Sequence, residues 1–121
     1  MQVTKRGLTL ANQLSRFFTK RQYNQVAEIC SVIARHAKTH CRLQEIACSV
    51  EMTEKQQARH DKRDAAIEAR ITELVRKLPK SKNGYIVPVF AGDPRGYTVK
   101  LGVPNAPRDG NTWGLAGEFG I

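Results

Sequence analysis

The amino-acid sequence predicts an α+β protein with a helical N-terminal body, a small C-terminal β-hairpin and an irregular tail. Apolar residues recur with a helical period up to residue 78, whereas residues 85–91 are mainly β-branched and aromatic and residues 97–103 alternate between apolar and polar. Residues 79–84 combine Pro, Asn and Gly with three basic or hydroxyl side chains, as linkers do. A chain of 121 residues suits one domain with a modest core.

The basic segment 1–21 contains a short amphipathic helix, predicted over residues 9–20. Its apolar side chains stand at helical spacing, and they are Leu10, Leu14, Phe17 and Phe18. A helix this short needs a surface to pack against. If these four side chains are exposed instead, they form a patch that seeks a partner protein.

Residues 22–78 predict an antiparallel helical hairpin. The second helix, over about 22–48, has a wide apolar face that runs from Val26 to Cys48. The third starts after Thr53, where Thr53 and Gln56 fit a capping box, and it stops before Pro79. The wide face of the second helix also leaves a homodimer open.

Residues 85–103 predict a β-hairpin, and residues 104–121 form the Gly/Pro-rich tail. Pro88 cannot donate to a strand ladder, which indicates an edge strand. The turn has type I chemistry, with Asp93 and Pro94 in its first two positions and Gly92 and Gly96 able to adopt positive φ. In the tail, Trp113 is expected to anchor the chain, with an exposed stacking surface as the alternative.

The net charge of +9 is concentrated in two blocks. Residues 1–21 hold five cations and no acid, and residues 53–83 hold nine basic and five acidic side chains. Such clusters attract polyanions or acidic protein surfaces, although a solvated surface explains them equally well. The candidate contacts are Lys5, Arg6, Arg16, Lys20 and Arg21 in the first block, and Arg76, Lys77, Lys80 and Lys82 in the second.

Two residues of the hairpin are further binding candidates. Turn geometry accounts for Asp93, Pro94 and the glycines but not for Arg95, which should project from the tip beside Tyr97. An exposed arginine next to an aromatic ring can hold a phosphate or stack on a base.

Histidines and acids on the helices are candidate metal ligands. His36 and His40 stand at i and i+4, and His60-Asp61 precedes Asp64 and Glu68. Packing is preferred for the first pair because no completing ligand is evident. For the second group the interleaved cations favour a solvated face with ion pairs. The sequence therefore predicts no metal, no cofactor and no catalytic residue.

Cysteine content and hydropathy indicate a cytosolic protein. Cys30, Cys41 and Cys48 are odd in number and form no CxxC, so we expect free thiols in a reducing compartment. No apolar run approaches the length of a membrane span, and the N-terminus lacks the apolar core of a secretory signal.

The C-terminal part of the chain combines the segment from Gly92 to Leu101, Asn111-Thr112-Trp113-Gly114 and a Phe-Gly-Ile end. Through these residues the last two-thirds of the chain resembles a widespread group of small uncharacterised proteins encoded by tailed bacteriophages. It implies a setting, the cytoplasm of an infected bacterium, and no catalytic residue.

Together these observations predict a phage accessory protein that binds nucleic acid or a nucleoprotein through its basic surfaces. The alternative is a non-catalytic inhibitor that occludes a host enzyme or defence complex. Exposure of the first helix would favour the inhibitor, and steep salt dependence would favour nucleic acid.

Overall fold

A computed structural model describes residues 3–80, 86–90, 96–104 and 115–121. In these ranges the chain forms three helices: α1 (Lys5–Leu14), α2 (Tyr23–Ser49) and α3 (Glu54–Arg76). It also forms three strands: β1 (Val87–Val89), β2 (Lys100–Pro104) and β3 (Leu115–Gly120). The α+β class predicted from the sequence is confirmed.

Helix α1 begins and ends earlier than the predicted range of 9–20. Thr4 caps it, because its side-chain oxygen accepts from the Gly7 amide at 3.1 Å. After Leu14 the chain continues as 3₁₀ turns at Ser15–Phe17 and Lys20–Gln22. The apolar spacing missed this boundary because a 3₁₀ turn can carry Phe17 into the core as an α-helix would.

Helix α1 lies directly against α2 at a contact between two small residues. A Cβ atom on Gly7 would overlap the Ser31 side chain. The Ser31 hydroxyl donates to the Ala27 carbonyl at 2.7 Å and accepts from the Thr4 amide at 3.0 Å. The start of α1 is therefore held on α2 by close packing and by a hydrogen bond.

Helices α2 and α3 form the predicted antiparallel hairpin. Leu43 contacts His60, whereas His40, one turn earlier on α2, lies beside Asp64 and Glu68, which come later on α3, so the two helices run in opposite directions. The capping box is confirmed: the Gln56 amide donates to Thr53 Oγ1 at 3.2 Å, and the Thr53 amide donates to Gln56 Oε1 at 3.0 Å.

The three strands form one antiparallel sheet in the order β1-β2-β3. Pro88 faces Leu101 from β1, which is an edge strand as predicted. The tail predicted to be irregular over 104–121 instead supplies β3, in which Phe119 pairs with Leu101. A third strand adds the pairing that an isolated hairpin lacks, and this explains why a segment with weak strand propensity is extended here.

One core joins the helices to the sheet. The four apolar side chains of the first helical segment are buried, from Leu14 at 0% exposed to Phe18 at 5%. Leu101 of β2 and the residues just before β1 and β2, Ile86 and Val99, pack in this core together with Ile71, Leu74 and Val75 of α3. Among the described residues, no helix is long and apolar enough to cross a membrane.

Candidate functional site

A basic cleft lies where α1, α2 and the sheet meet, and its volume is about 360 Å³. Its side chains include three cations and one carboxylate, which sum to a side-chain charge of +2. The complete lining, called here the basic cleft, is Arg6, Lys38, Cys41, Arg42, Glu45, Gly96, Tyr97 and Ile121.

The helices bring the three cations together. Lys38 and Arg42 are one turn apart on α2, so both project from the same exposed face. Arg6 reaches them from α1 because Gly7, its neighbour, packs against Ser31 of α2. The arrangement depends on that close crossing.

Tyr97 forms the aromatic wall of the basic cleft. A Cβ atom on Gly120 would overlap its ring, so the ring rests on the glycine backbone at the end of β3. Tyr97 as a whole is 37% exposed. Gly96, which precedes it, adopts φ +93°, a value that favours glycine. The ring is thus supported by the sheet and still offers surface to a ligand.

The predicted contact residues are spread over more than one surface. Arg6 and Tyr97 meet in the basic cleft, whereas Lys20 lines a second cleft beside Phe18. Arg76 and Lys80 line a third cleft, next to β1. Lys5 and Arg21 are exposed.

Two other predicted cations interact within the chain. Lys77 lies 3.8 Å from the Glu73 carboxylate, and the Arg16 guanidinium lies 4.8 Å from the centre of the Phe17 ring. Lys82, Arg95 and the turn residues Gly92, Asp93 and Pro94 lie outside the described residues.

Sequence reasoning missed Lys38 and Arg42. They belong to the stretch 22–52, whose three cations and three acids balance. Because the net charge of this segment is zero, a sum of charges by segment does not identify Lys38 and Arg42 as a basic surface. The signal that was available is their i,i+4 spacing on the polar face of a well-predicted helix.

A polar cluster lies on the other side of Cys41, and it joins α2 to α3. His40 Nε2 is 3.2 Å from Asp64 Oδ1 and 3.9 Å from Glu68 Oε1. One donor atom from each of these three residues lies within 4.8 Å of the other two. We call His40, Asp64 and Glu68 the HDE cluster.

The surroundings of His40 fix its ring. The residue is 4% exposed, its Nδ1 is 3.0 Å from Thr98 Oγ1, and its ring centre is 5.7 Å from that of Phe90. Nε2 forms no hydrogen bond, because Asp64 Oδ1 is within reach but lies off the direction of an Nε2–H. Gln44 Nε2 donates to that same oxygen at 2.9 Å.

The HDE cluster joins residues that the sequence analysis assigns to two separate groups. His40 had been paired with His36, whose pKa is lowered by partial burial and by Arg35 and Arg70. Asp64 and Glu68 had been grouped with His60, which instead hydrogen-bonds the Leu43 carbonyl at 2.9 Å. The interpretation of Asp64 and Glu68 as part of a solvated face was wrong, since both side chains are partly buried beside His40.

The HDE cluster opens into a cleft of about 490 Å³ that adjoins the basic cleft. The two share Cys41, Glu45 and Gly96 along their common wall. All three cysteines are free thiols, as predicted: Cys30 is buried, Cys41 is intermediate and Cys48 is exposed.

Comparisons with known proteins found no relative. No protein-family model matches the chain, and the searches of curated proteins and of solved structures returned no match.

Proposed function

We propose that this protein is a bacteriophage accessory protein that binds nucleic acid in the cytoplasm of the infected host. The setting follows from the resemblance of the C-terminal segment, and the nucleic-acid function depends on one observation, the convergence of Arg6, Lys38 and Arg42 beside Tyr97 in the basic cleft. Cations at that density attract a phosphate backbone, and they do so independently of base sequence.

An aromatic wall beside the cations favours a single strand over a duplex. Bases of a single strand are free to stack on an exposed ring, whereas bases of a duplex are already stacked. Tyr97 is held by Gly120 beneath it, so little side-chain freedom is lost when a base stacks. The phosphates of the strand would then contact Arg6, Lys38 and Arg42.

Fluorescence anisotropy with labelled 20-nucleotide DNA and RNA at about 50 mM salt tests the proposal, because phosphate contacts are strongest at low salt. Each of Arg6→Gln, Lys38→Gln and Arg42→Gln should weaken binding and lower the slope of log K against log salt by about 0.7. Tyr97→Ala should cost about 1–3 kcal/mol on single strands and much less on duplex DNA.

The matched controls are Arg59→Gln and Lys62→Gln, which remove the same charge from an exposed part of α3 outside the basic cleft. They should change affinity only slightly. Equal losses in the controls would mean attraction by net charge alone, and no measurable binding to either nucleic acid would refute the proposal.

The alternative, inhibition of a host enzyme or defence complex, had been tied to exposure of the first helix. Leu10, Leu14 and Phe17 are buried at 3% or less, so they do not offer that patch. A pull-down from nuclease-treated bacterial lysate distinguishes the two functions. A protein partner that survives nuclease would support inhibition through another surface, and loss of all partners would support nucleic acid.

A further inference from the structure

We propose that the HDE cluster binds one divalent transition-metal ion, with His40 Nε2, Asp64 and Glu68 as its protein ligands. One imidazole nitrogen and two carboxylate oxygens suit ions such as Zn²⁺, Co²⁺ or Mn²⁺ better than Mg²⁺ or Ca²⁺, which prefer oxygen alone. The inference stands without the proposed nucleic-acid function.

The orientation of His40 favours a metal over a simple ion pair. An Nε2–H that served an ion pair would point at Asp64 Oδ1, yet this nitrogen forms no hydrogen bond and is buried with the rest of its residue. A metal ion bound by Nε2 would lie along the lone pair of that nitrogen. The oxygen atoms of the other ligands would then lie to the side of the lone-pair direction, as Asp64 Oδ1 does here. Two ligands of a tetrahedral Zn²⁺ are about 3.3 Å apart, given metal–ligand bonds of about 2.0–2.1 Å. The separation between His40 and Asp64 is 3.2 Å.

The remaining distances require only small movements of half-exposed side chains. Glu68 Oε1 lies 3.9 Å from His40 Nε2, and its side chain is 34% exposed, so a rotamer adjustment can bring it onto the ion. Asp64 and Glu68 are one turn apart on α3, where two like charges repel. A divalent cation between them removes that repulsion.

A second set of groups supports the three ligands. Metal-bound histidines usually hydrogen-bond through their other nitrogen, and ligating carboxylates usually accept a further hydrogen bond. Thr98 Oγ1 provides the first contact, at 3.0 Å from His40 Nδ1. Gln44 provides the second, at 2.9 Å from Asp64 Oδ1.

Three protein ligands next to an open cleft leave at least one coordination position for a water molecule or a ligand. That cleft is the one of about 490 Å³ that adjoins the basic cleft. A site of this form differs from a closed structural zinc site, which has four protein ligands.

Titration of the full-length, chelator-treated protein with Zn²⁺ in a calorimeter, and with Co²⁺ by absorption, tests the site. We expect one equivalent per chain and a Co²⁺ spectrum without a thiolate charge-transfer band. Asp64→Asn and Glu68→Gln should each weaken binding by more than about 100-fold, because loss of a supporting contact alone costs about 10–100-fold. Both side chains keep some contact with solvent and both replacements preserve the side-chain shape, so the variants should keep the fold.

Two further variants separate the site from non-specific binding. Thr98→Val should weaken binding by about 10–100-fold, since it removes only the contact to His40 Nδ1. Asp61→Asn removes the same charge from an exposed position of α3 and should leave the affinity unchanged.

The proposal fails if the protein takes up no ion, or if Asp61→Asn weakens binding as much as Asp64→Asn does. It also fails if Cys41→Ser or Cys48→Ser abolishes binding while the HDE variants retain it, because the ion would then be held by thiolates.

Discussion

At the scale of the residue, helix α2 gives one side-chain type three environments. Cys30, Cys41 and Cys48 lie on the same helix, yet the first is buried, the second is intermediate and the third is exposed. Burial without a compensating charge raises the pKa of Cys30 to about 12, because the thiolate is poorly solvated there. The three thiols should therefore differ in their reactivity.

The expected outcome is that Cys48 reacts quickly with a thiol reagent in the native protein while Cys30 does not react. The thiolate is the reactive species, and at neutral pH burial keeps Cys30 protonated and out of contact with solvent. Labelling followed by peptide mass spectrometry measures this, and all three should react in denaturant. Native labelling of Cys30 at the rate of Cys48 would contradict the burial.

His36 makes stability depend on pH. Its pKa is lowered from 6.5, first by burial and then by Arg35 and Arg70, so the unfolded chain binds more protons around that pH. Stability should therefore be complete above about pH 6.5 and decline as the pH falls from there through the lower folded-state pKa. Urea midpoints of wild type and His36→Gln from pH 8 to 5 would show this as a difference in slope. Equal slopes would rule out the contribution of His36.

At the scale of the element, the crossing of α1 over α2 depends on the absence of a side chain at Gly7. A Cβ there would overlap Ser31, and the same serine also accepts from the Thr4 amide. The crossing holds Arg6 beside Lys38 and Arg42, so the packing of two small residues positions the basic cleft.

Gly7→Ala should destabilise the protein by about 1–3 kcal/mol, as overpacking in a closely packed contact does. The better helix propensity of alanine would offset at most about 1 kcal/mol of this. Urea unfolding measures the change, and Gln13→Ala, at an exposed position of the same helix, should stay within about 0.5 kcal/mol. A variant as stable as wild type would show that α1 can shift without loss.

At the scale of the whole molecule, sheet and helices share a core and should unfold together. Val99 and Leu101 are fully buried in the cluster that includes Ile33 and Ile71 of the helices. His40 adds a polar link, since its ring contacts Thr98 and Phe90. The sheet is therefore stabilised largely by the helical body.

Leu101→Ala should cost about 2–5 kcal/mol, the usual range for a large apolar side chain truncated in a core. Because the core is shared, the helical circular-dichroism signal should shift to lower denaturant along with the fluorescence of Trp113, the one tryptophan, which stands between β2 and β3 in the sequence. Lys62→Ala, on the exposed face of α3, is the control and should cause little change. A helical transition that stays in place while the fluorescence transition moves would mean that sheet and helices unfold separately.

The elements of the fold differ in how well the sequence predicts them. Periodicity and the capping box located α2 and α3 within a residue or two, because both signals are local. The start of α1 was missed, although the Thr4 cap is also local, because apolar spacing was followed instead. Strand β3 could not be predicted from its own residues, since pairing with β2 is what stabilises it.

The sequence by itself determined the helical hairpin, the edge position of Pro88 and the excess of positive charge, because periodicity, backbone chemistry and composition act over short distances. Only the tertiary structure decided which charges meet. Arg6 joins Lys38 and Arg42 through the crossing at Gly7, and His40 meets two carboxylates across the helical hairpin. Both groupings join residues more than 20 positions apart, and no pattern within a single helix encodes which face of its neighbour it will contact.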